Sequence, residues 1–342
     1  MGTGDKPRVV VDPYPRRMEE IFSPEDLMRL HDTVEVVWGN DQQMAGEVAD
    51  AALRETIAVV CSGWPYGGAL EQAPRLQAII DVGGGFPSTL DYEFCFARRI
   101  RVLTCAPAFA PQVAEMALGL ALAASRDIVV GDRAMRAGVE GWGHAGNVGT
   151  FLLYGKPIGF IGFGSLAQAL RSLLAPFGCP IAVYDPWLSA GYLRSAGVNP
   201  LALEQLLETS LVIFVLASPT TENNALLSRS MLERIQPGAV LVLISRAYVV
   251  DFDALTELVL RGRFKAAIDV FPNEPLAPDH PIRHAPGAVL SAHRAGSVKE
   301  GLCQIGTMVV DDLEAIVRGL PPRRLQLATP ELALRYARAM RR

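Results

Sequence analysis

The chain has 342 residues, half of them apolar and 20% charged, so it is long enough to bury a core without disulfides or metal ions. Its 36 acidic and 32 basic side chains leave a net charge of −4, which provides no broadly basic surface for a nucleic acid. The five cysteines are odd in number and never spaced C-x-x-C, which predicts free thiols in a reducing compartment and no zinc site.

The N-terminal part of the chain alternates short apolar runs with helical patterns. Met1–Arg8 lacks the apolar stretch of a secretory signal, so we expect a cytoplasmic protein. Ser23, followed by Pro24 and two acidic residues, predicts the capped start of a helix. Five strands are predicted in this part, over Arg8–Asp12, Val34–Trp38, Ile57–Ser62, Leu76–Val82 and Arg101–Cys105.

An Ala-rich helix is predicted next, over Pro111–Arg126, and a loop over Gly138–Gly149 follows it. The longest apolar stretch of the chain, Ala114–Ala124, lies in this helix and contains Glu115. It is shorter than the roughly 20 residues that cross a bilayer. We therefore expect no membrane-spanning segment.

The rest of the chain repeats the same alternation, with a capped helix over Asp251–Leu260 that Gly262 closes, and a capped helix from Thr329 with Leu332 and Tyr336 on one face. Such alternation predicts parallel sheets covered by crossover helices, and eleven strands are too many for one open sheet. The predicted fold class is α/β, with two doubly wound parallel-sheet domains. The six predicted strands of this part are Pro157–Gly162, Pro180–Asp185, Leu211–Ala217, Ala239–Ser245, Lys265–Val270 and Ala288–Ser291.

A glycine-rich turn after the first of these strands predicts a dinucleotide site. Gly162, Gly164 and Ala167 form the pattern G-x-G-x-x-G/A, in which glycines permit the tight turn and the approach of a pyrophosphate. The N–H groups of Ser165 and Leu166 begin the next helix and would face that anion. Asp185 ends the following strand, where a carboxylate binds the ribose hydroxyls of NAD and repels the 2′-phosphate of NADP. NAD is therefore the expected cofactor, and NADP the less favoured one.

Three ionisable residues follow later strands, where ligands of open α/β sheets bind. Arg246, Glu274 and His293 follow three different predicted strands. A planar guanidinium can bind the carboxylate and ketone oxygens of a 2-oxo acid, and an imidazole can give the proton that the developing alkoxide needs. A carboxylate beside the imidazole favours its charged form. The three residues are therefore expected to converge on one crevice and to form a candidate catalytic set.

These residues resemble the NAD-dependent D-isomer-specific 2-hydroxyacid dehydrogenases, a family that includes phosphoglycerate dehydrogenases and glyoxylate/hydroxypyruvate reductases. The resemblance implies a flavodoxin-like substrate domain over residues 1–105 and 297–342, and a Rossmann NAD-binding domain over residues 106–296. The motifs that carry it are Gly83-Gly84-Gly85, Val113-Ala114-Glu115, the glycine turn, Pro237-Gly238-Ala239, Ser245-Arg246 with Asp251, Asp269-Val270-Phe271 with Glu274-Pro275, and His293-x-x-Gly296.

The resemblance also implies roles for individual residues. Asp269 would hold the nicotinamide carboxamide, and the N–H groups of Gly84 and Gly85 would meet the substrate carboxylate together with Arg246. Further cofactor contacts are expected at Ser218, Pro219, Ser245 and Gly296. The long helix and the loop after it would form a homodimer interface. The expected partner is a small 2-oxo or 2-hydroxy acid, with no nucleic acid, no membrane and no metal.

Some residues depart from the family pattern, and they leave alternatives open. Ala247 replaces the usual glycine after the arginine, and Arg294 replaces an aliphatic residue, either pointing away from the site or binding a second acidic group. The segment around Trp64 is expected to face the substrate, with a bulk that suggests a large or apolar substrate side chain. Oxidation of formate or phosphite is one alternative. Another is an NAD-sensing corepressor that binds proteins without catalysis.

Overall fold

The computed structural model describes residues 6–333 and residue 335. The chain divides into two compact units, which we call unit 1 (Met1–Phe109 with Ser297–Arg342) and unit 2 (Ala110–Gly296). Each unit contains one β-sheet with helices around it.

The N-terminal part of unit 1 contains all five predicted strands. Ser23 caps a helix as predicted, because its hydroxyl accepts a hydrogen bond from the N–H of Asp26. In chain order the elements are β1 (Arg8–Asp12), α1 (Met18–Ile21), α2 (Pro24–Thr33), β2 (Glu35–Trp38), α3 (Gly46–Glu55), β3 (Thr56–Cys61), β4 (Ala78–Asp81), α4 (Tyr92–Ala97) and β5 (Arg101–Thr104).

Helix α5 (Ala106–Ser125) begins five residues before the predicted start at Pro111, so that prediction was wrong. Pro111 lies inside the helix, where its missing N–H removes one helical hydrogen bond. By length and composition α5 is the one described helix that could cross a membrane. Its residues Ala114, Ala117 and Ala121 are fully buried in the core of unit 2, which explains its apolar composition.

Unit 2 contains a seven-stranded sheet in the order β12-β11-β10-β9-β6-β7-β8, with every pair parallel. This is the doubly wound order of dinucleotide-binding sheets, extended by one strand. The strands remain parallel, but the order in which the chain adds them to the sheet reverses between β6 and β9. The elements are α6 (Ile128–Ala137), β6 (Ile158–Ile161), α7 (Ser165–Leu174), β7 (Ile181–Tyr184), α8 (Ala190–Ser195), β8 (Asn199–Pro200), α9 (Leu203–Thr209), β9 (Val212–Val215), α10 (Arg229–Leu232), β10 (Val240–Leu243), α11 (Phe252–Leu260), β11 (Lys265–Ile268) and β12 (Ala288–Leu290).

The chain returns to unit 1 through α12 (Lys299–Val317) and β13 (Gln326–Leu327). β13 pairs antiparallel with β5, which gives the sheet order β13-β5-β4-β3-β1-β2. Without β13 this is the flavodoxin-like order, so the predicted fold class is confirmed. The predicted tail helix begins at Thr329, whose hydroxyl accepts from the N–H of Leu332. Tyr336 and the rest of that helix lie outside the described residues.

Both sheets are covered on their two faces, which explains why their strands read as continuous apolar runs. In β10, for example, Val240 and Val242 pack into one core cluster of unit 2, while Leu241 and Leu243 pack into the other. Unit 1 has an equivalent pair of clusters. Trp64 belongs to one of them, is only 3% exposed and donates its indole N–H to the carbonyl of Gly67. The prediction that Trp64 shapes a substrate pocket was therefore wrong.

Candidate active site

The predicted site residues of unit 2 line one edge of its sheet. Each follows the carboxyl end of one of six adjacent strands, β12, β11, β10, β9, β6 and β7. This is the edge at which open α/β sheets bind ligands. The residues are His293 and Gly296 after β12, Asp269 and Glu274 after β11, Ser245 and Arg246 after β10, Ser218 and Pro219 after β9, Gly162, Gly164, Ser165 and Leu166 after β6, and Asp185 after β7.

The turn after β6 has the geometry that its glycine pattern predicts. Gly162 has a φ of +94°, and a Cβ atom there would lie 2.8 Å from the backbone of Ala217. Only glycine therefore fits this position without strain. Helix α7 begins at Ser165, so the N–H groups of Ser165 and Leu166 have no helical acceptor. They are therefore available to an anion at the point where the strand order reverses.

Asp185 follows β7 and is fixed beside this turn. Its Oδ2 accepts a hydrogen bond of 2.9 Å from the N–H of Phe163, and its Oδ1 accepts one of 3.0 Å from the N–H of Trp187. Each carboxylate oxygen has a second lone pair that could accept from a ribose hydroxyl. The carboxylate is thus held at the turn and still has acceptor capacity.

His293 and Glu274 form a direct pair. Nδ1 of His293 lies 2.6 Å from Oε2 of Glu274, and both side chains are partly exposed, at 42% and 35%. The other carboxylate oxygen, Oε1, accepts a hydrogen bond of 2.9 Å from the N–H of Phe271. Glu274 is therefore fixed from one side and fixes the imidazole from the other, which leaves Nε2 as the ring nitrogen able to exchange a proton with a ligand.

Asp269 accepts hydrogen bonds from the turn that contains His293, which was not predicted from the sequence. Its carboxylate is 1% exposed and accepts hydrogen bonds from the N–H groups of Arg294 and Ala295, at 3.0 and 3.2 Å. Its own carbonyl accepts from the N–H of His293 at 2.8 Å. His293 has a φ of +50°, an uncommon conformation for a residue other than glycine. Asp269 therefore holds the turn that carries the imidazole.

Arg246 follows β10, the strand next to β11, and makes no hydrogen bond or ion pair with His293 or Glu274 within the described residues. Its Nη1 donates to the carbonyl of Ser245 at 2.7 Å, and its remaining donors make no other hydrogen bond within residues 6–333. Ala247 is buried in a short 3-10 turn and has no positive φ, so the backbone does not need the usual glycine here. Arg294 is exposed and takes part in no ion pair of the described chain.

Two hydroxyl groups at this edge are buried without a partner. Within the described residues, Oγ of Ser245 and Oγ of Ser291 are inaccessible to solvent and make no hydrogen bond. An unpaired buried hydroxyl is costly, and a polar ligand can supply its partner. The glycine turn, the start of α7, Asp185 and Ser245 therefore fit a dinucleotide. No group of three potential metal ligands occurs among the residues described.

The Gly83–Gly85 loop of unit 1 follows β4 and is held by two side chains. Oδ1 of Asp81 accepts from the N–H of Gly83 at 2.7 Å, and Oγ1 of Thr104 donates to the carbonyl of Gly83 at 3.1 Å. Oδ2 of Asp81 also accepts from Gly63 at 2.7 Å. Burial raises the pKa of Asp81 to about 6. The N–H groups of Gly84 and Gly85 make no hydrogen bond within the described chain and are free for a ligand.

Comparisons with known proteins agree with this geometry. Residues 118–295 match the family model described as "D-isomer specific 2-hydroxyacid dehydrogenase, NAD binding domain". The chain is 31% identical to a glyoxylate reductase of Korarchaeum cryptofilum over 74% of this chain and 76% of that protein. It is 30% identical to a D-3-phosphoglycerate dehydrogenase of Mycobacterium bovis over 87% of this chain but 56% of that protein. The chain thus spans about half the length of the first curated relatives, which are D-3-phosphoglycerate dehydrogenases.

A solved structure extends the comparison to nearly the whole chain. The crystal structure of a phosphoglycerate oxidoreductase from Rhizobium etli superposes with a TM-score of 0.82. Its sequence is 38% identical, and the alignment covers 95% of this chain and 99% of that one. Both units described above therefore have counterparts in a single solved protein.

Proposed function

Because the chain belongs to the D-isomer specific 2-hydroxyacid dehydrogenase family, we propose that it transfers a hydride between NAD and C2 of a 2-oxo acid, with the D-2-hydroxy acid as the reduced product. The observation that carries this proposal is the 2.6 Å pair of His293 and Glu274, at the sheet edge that also carries the dinucleotide turn. A cofactor-binding protein without catalysis has no need of that pair.

The residues of the turn would hold the cofactor. The N–H groups of Ser165 and Leu166 would bind the pyrophosphate, and the carboxylate of Asp185 would bind the ribose hydroxyls. Asp185 carries the charge that opposes a 2′-phosphate, so we propose NAD rather than NADP. When bound, the reduced nicotinamide supplies the hydride. Ser218, Pro219, Ser245 and Gly296 follow neighbouring strands and would line the same cofactor.

His293 would move the proton. In the reduction it donates from Nε2 to the alkoxide oxygen that forms at C2, and in the oxidation it removes the hydroxyl proton. Glu274 would orient the imidazole through the 2.6 Å contact at Nδ1, so that Nε2 faces the substrate. General acid–base catalysis of this kind contributes about 10²- to 10⁴-fold in rate.

Arg246 and the loop of unit 1 would bind the substrate. The free donors of the Arg246 guanidinium suit the carboxylate and ketone oxygens, since a planar fork binds two oxygens at once. In unit 1, the unpaired N–H groups of Gly84 and Gly85 suit a carboxylate, because consecutive N–H groups can form an anion-binding nest. Both sets of donors have no other hydrogen-bond partner within the described chain.

The names of the relatives, glyoxylate reductase and D-3-phosphoglycerate dehydrogenase, support 2-oxo acids as the proposed substrate class. The test is the loss of NADH absorbance with glyoxylate, hydroxypyruvate, phenylpyruvate and 2-oxoglutarate, run beside NAD⁺ reduction with formate and with phosphite. We expect turnover with 2-oxo acids and none with formate or phosphite. Tight NADH binding without any turnover would instead support the NAD-sensing corepressor.

We also propose that the chain forms a homodimer through α6 and the segment after it. This part of unit 2 exposes large apolar side chains, which soluble monomers rarely cluster. Light scattering should give twice the mass of one chain, and Trp142→Glu, which places a charge at a 74% exposed position, should give single chains. The clustered side chains are Ile128, Val130, Met135, Val139, Trp142 and Val148.

A further inference from the structure

Arg16 is an unpaired cation at the carboxyl edge of the unit 1 sheet. It lies in the segment after β1, and its Cζ lies 5.7 Å from the centroid of the Phe109 ring. Its neighbour Arg17 pairs with Glu19 and Glu20, whereas Arg16 takes part in no ion pair of the described part of the chain. The ring holds the guanidinium in place and leaves its donors available.

The same ring lies against the Gly83–Gly85 loop. A Cβ atom at Gly84 would lie 3.7 Å from Cδ2 of Phe109, so Arg16 and Gly84 are placed around one phenyl ring. The charge of Arg16 also acts on Asp81, which holds this loop. Burial raises the pKa of Asp81, and the positive charge of Arg16 lowers it in part. The carboxylate of Asp81 is already occupied by the N–H groups of Gly63 and Gly83.

We propose that Arg16 binds a second negative group of the substrate, at the end of the carbon chain away from the 2-oxo carboxylate. The inference rests on the proposed function, in which Gly84 and Gly85 take the 2-oxo carboxylate. A guanidinium binds a carboxylate or a phosphate through two parallel hydrogen bonds, so either group could be the second anion. The substrate would then be a 2-oxo acid with a second anionic group rather than a small monoanion such as glyoxylate.

The test compares acids that differ by one charged group. Hydroxypyruvate is paired with 3-phosphohydroxypyruvate, and 2-oxopentanoate with 2-oxoglutarate. The variants are Arg16→Gln, Arg16→Lys, which keeps the charge, and Arg17→Gln as the matched control. We expect the wild type to prefer one of the two acids with a second anionic group to its partner without that group, and the preferred acid identifies the second group as phosphate or carboxylate.

The expected signature is a selective loss. Arg16→Gln should lower kcat/KM for the preferred acid by about 10- to 100-fold, mainly through KM, and change the kcat/KM of its monoanionic partner by less than about twofold. Arg16→Lys should restore part of the preference, and Arg17→Gln should change neither acid. Equal losses for both members of a pair would overturn the role of Arg16 alone. No turnover of any of the four acids by the wild type would overturn the proposed function itself.

Discussion

Replacing Asp269 by asparagine should slow catalysis without unfolding unit 2. The two carboxylate oxygens accept from the N–H groups of Arg294 and Ala295 at 3.0 and 3.2 Å. The asparagine side chain keeps one oxygen as an acceptor, but its NH₂ group then faces the second of these two backbone N–H groups. The variant therefore loses one hydrogen bond to a charged group, which is worth about 1.5–3 kcal/mol.

That loss is comparable to the strain that the turn stores. His293 has a φ of +50°, and such a conformation costs about 1–3 kcal/mol in a residue other than glycine. Without one of its two side-chain anchors the turn should relax, and the imidazole should leave Glu274 for part of the time. Since about 1.4 kcal/mol is tenfold in an equilibrium, kcat should fall by about 10- to 100-fold.

The assay is steady-state reduction of hydroxypyruvate, together with titration of NADH by fluorescence. The matched control is Asp251→Asn, because Asp251 also accepts from one backbone N–H, that of Ala254 at 3.0 Å, but caps a helix. The control should keep its kcat, since asparagine caps helices as well as aspartate does. An unchanged kcat in Asp269→Asn, or a weaker NADH affinity with an unchanged kcat, would refute the positioning role. The second result would favour a contact with the carboxamide instead.

Three further outcomes follow from the same geometry. Gly162→Ala should cost about 2–5 kcal/mol in urea unfolding and abolish NADH binding, because the new Cβ would meet the backbone of Ala217 at 2.8 Å; a stable variant that binds NADH would contradict this. Asp185→Asn should lower the preference for NADH over NADPH by about tenfold or more in kcat/KM ratios, since like charges repel, and an unchanged ratio would count against the assignment. The folded-state pKa of Asp81, raised by burial to about 6, lies above its ordinary 3.8, so the folded protein keeps a proton that the unfolded chain releases. This stability is present below about pH 4 and is lost as the pH rises through 6; the free energy of unfolding of wild type relative to Asp81→Asn should thus fall by about 3 kcal/mol, and a flat difference between pH 4 and 7 would refute it.

The fold could be predicted because its signals are local and repeated. All eleven strands predicted from the sequence are present in the structure, since strands buried on both faces must be apolar throughout. β8 and β13 were missed because two-residue strands carry no period. The start of α5 was misplaced because Pro111 reads as a first-turn proline, although the helix already begins at Ala106.

The residues of the site could be predicted from the sequence, but some of their contacts could not. The order of Arg246, Glu274 and His293 after successive strands predicts a shared edge, since those strands are neighbours in the sheet. The buried anchors of Asp269 were not predictable, because they are bonds to backbone N–H groups of a turn 25 residues away. Trp64 was misassigned because a large side chain after a strand fits a core as well as a pocket, and only packing decides.

Proton transfer by His293 is the central step of the proposed reaction. The decisive measurement is kcat for the reduction of hydroxypyruvate by NADH in wild type, His293→Ala and His284→Ala, with NADH affinity measured in each. His284 is an exposed histidine of the same unit and serves as the control. We predict that His293→Ala loses about 10²- to 10⁴-fold in kcat and still binds NADH, while His284→Ala keeps both. Equal turnover in His293→Ala and the wild type would contradict the account.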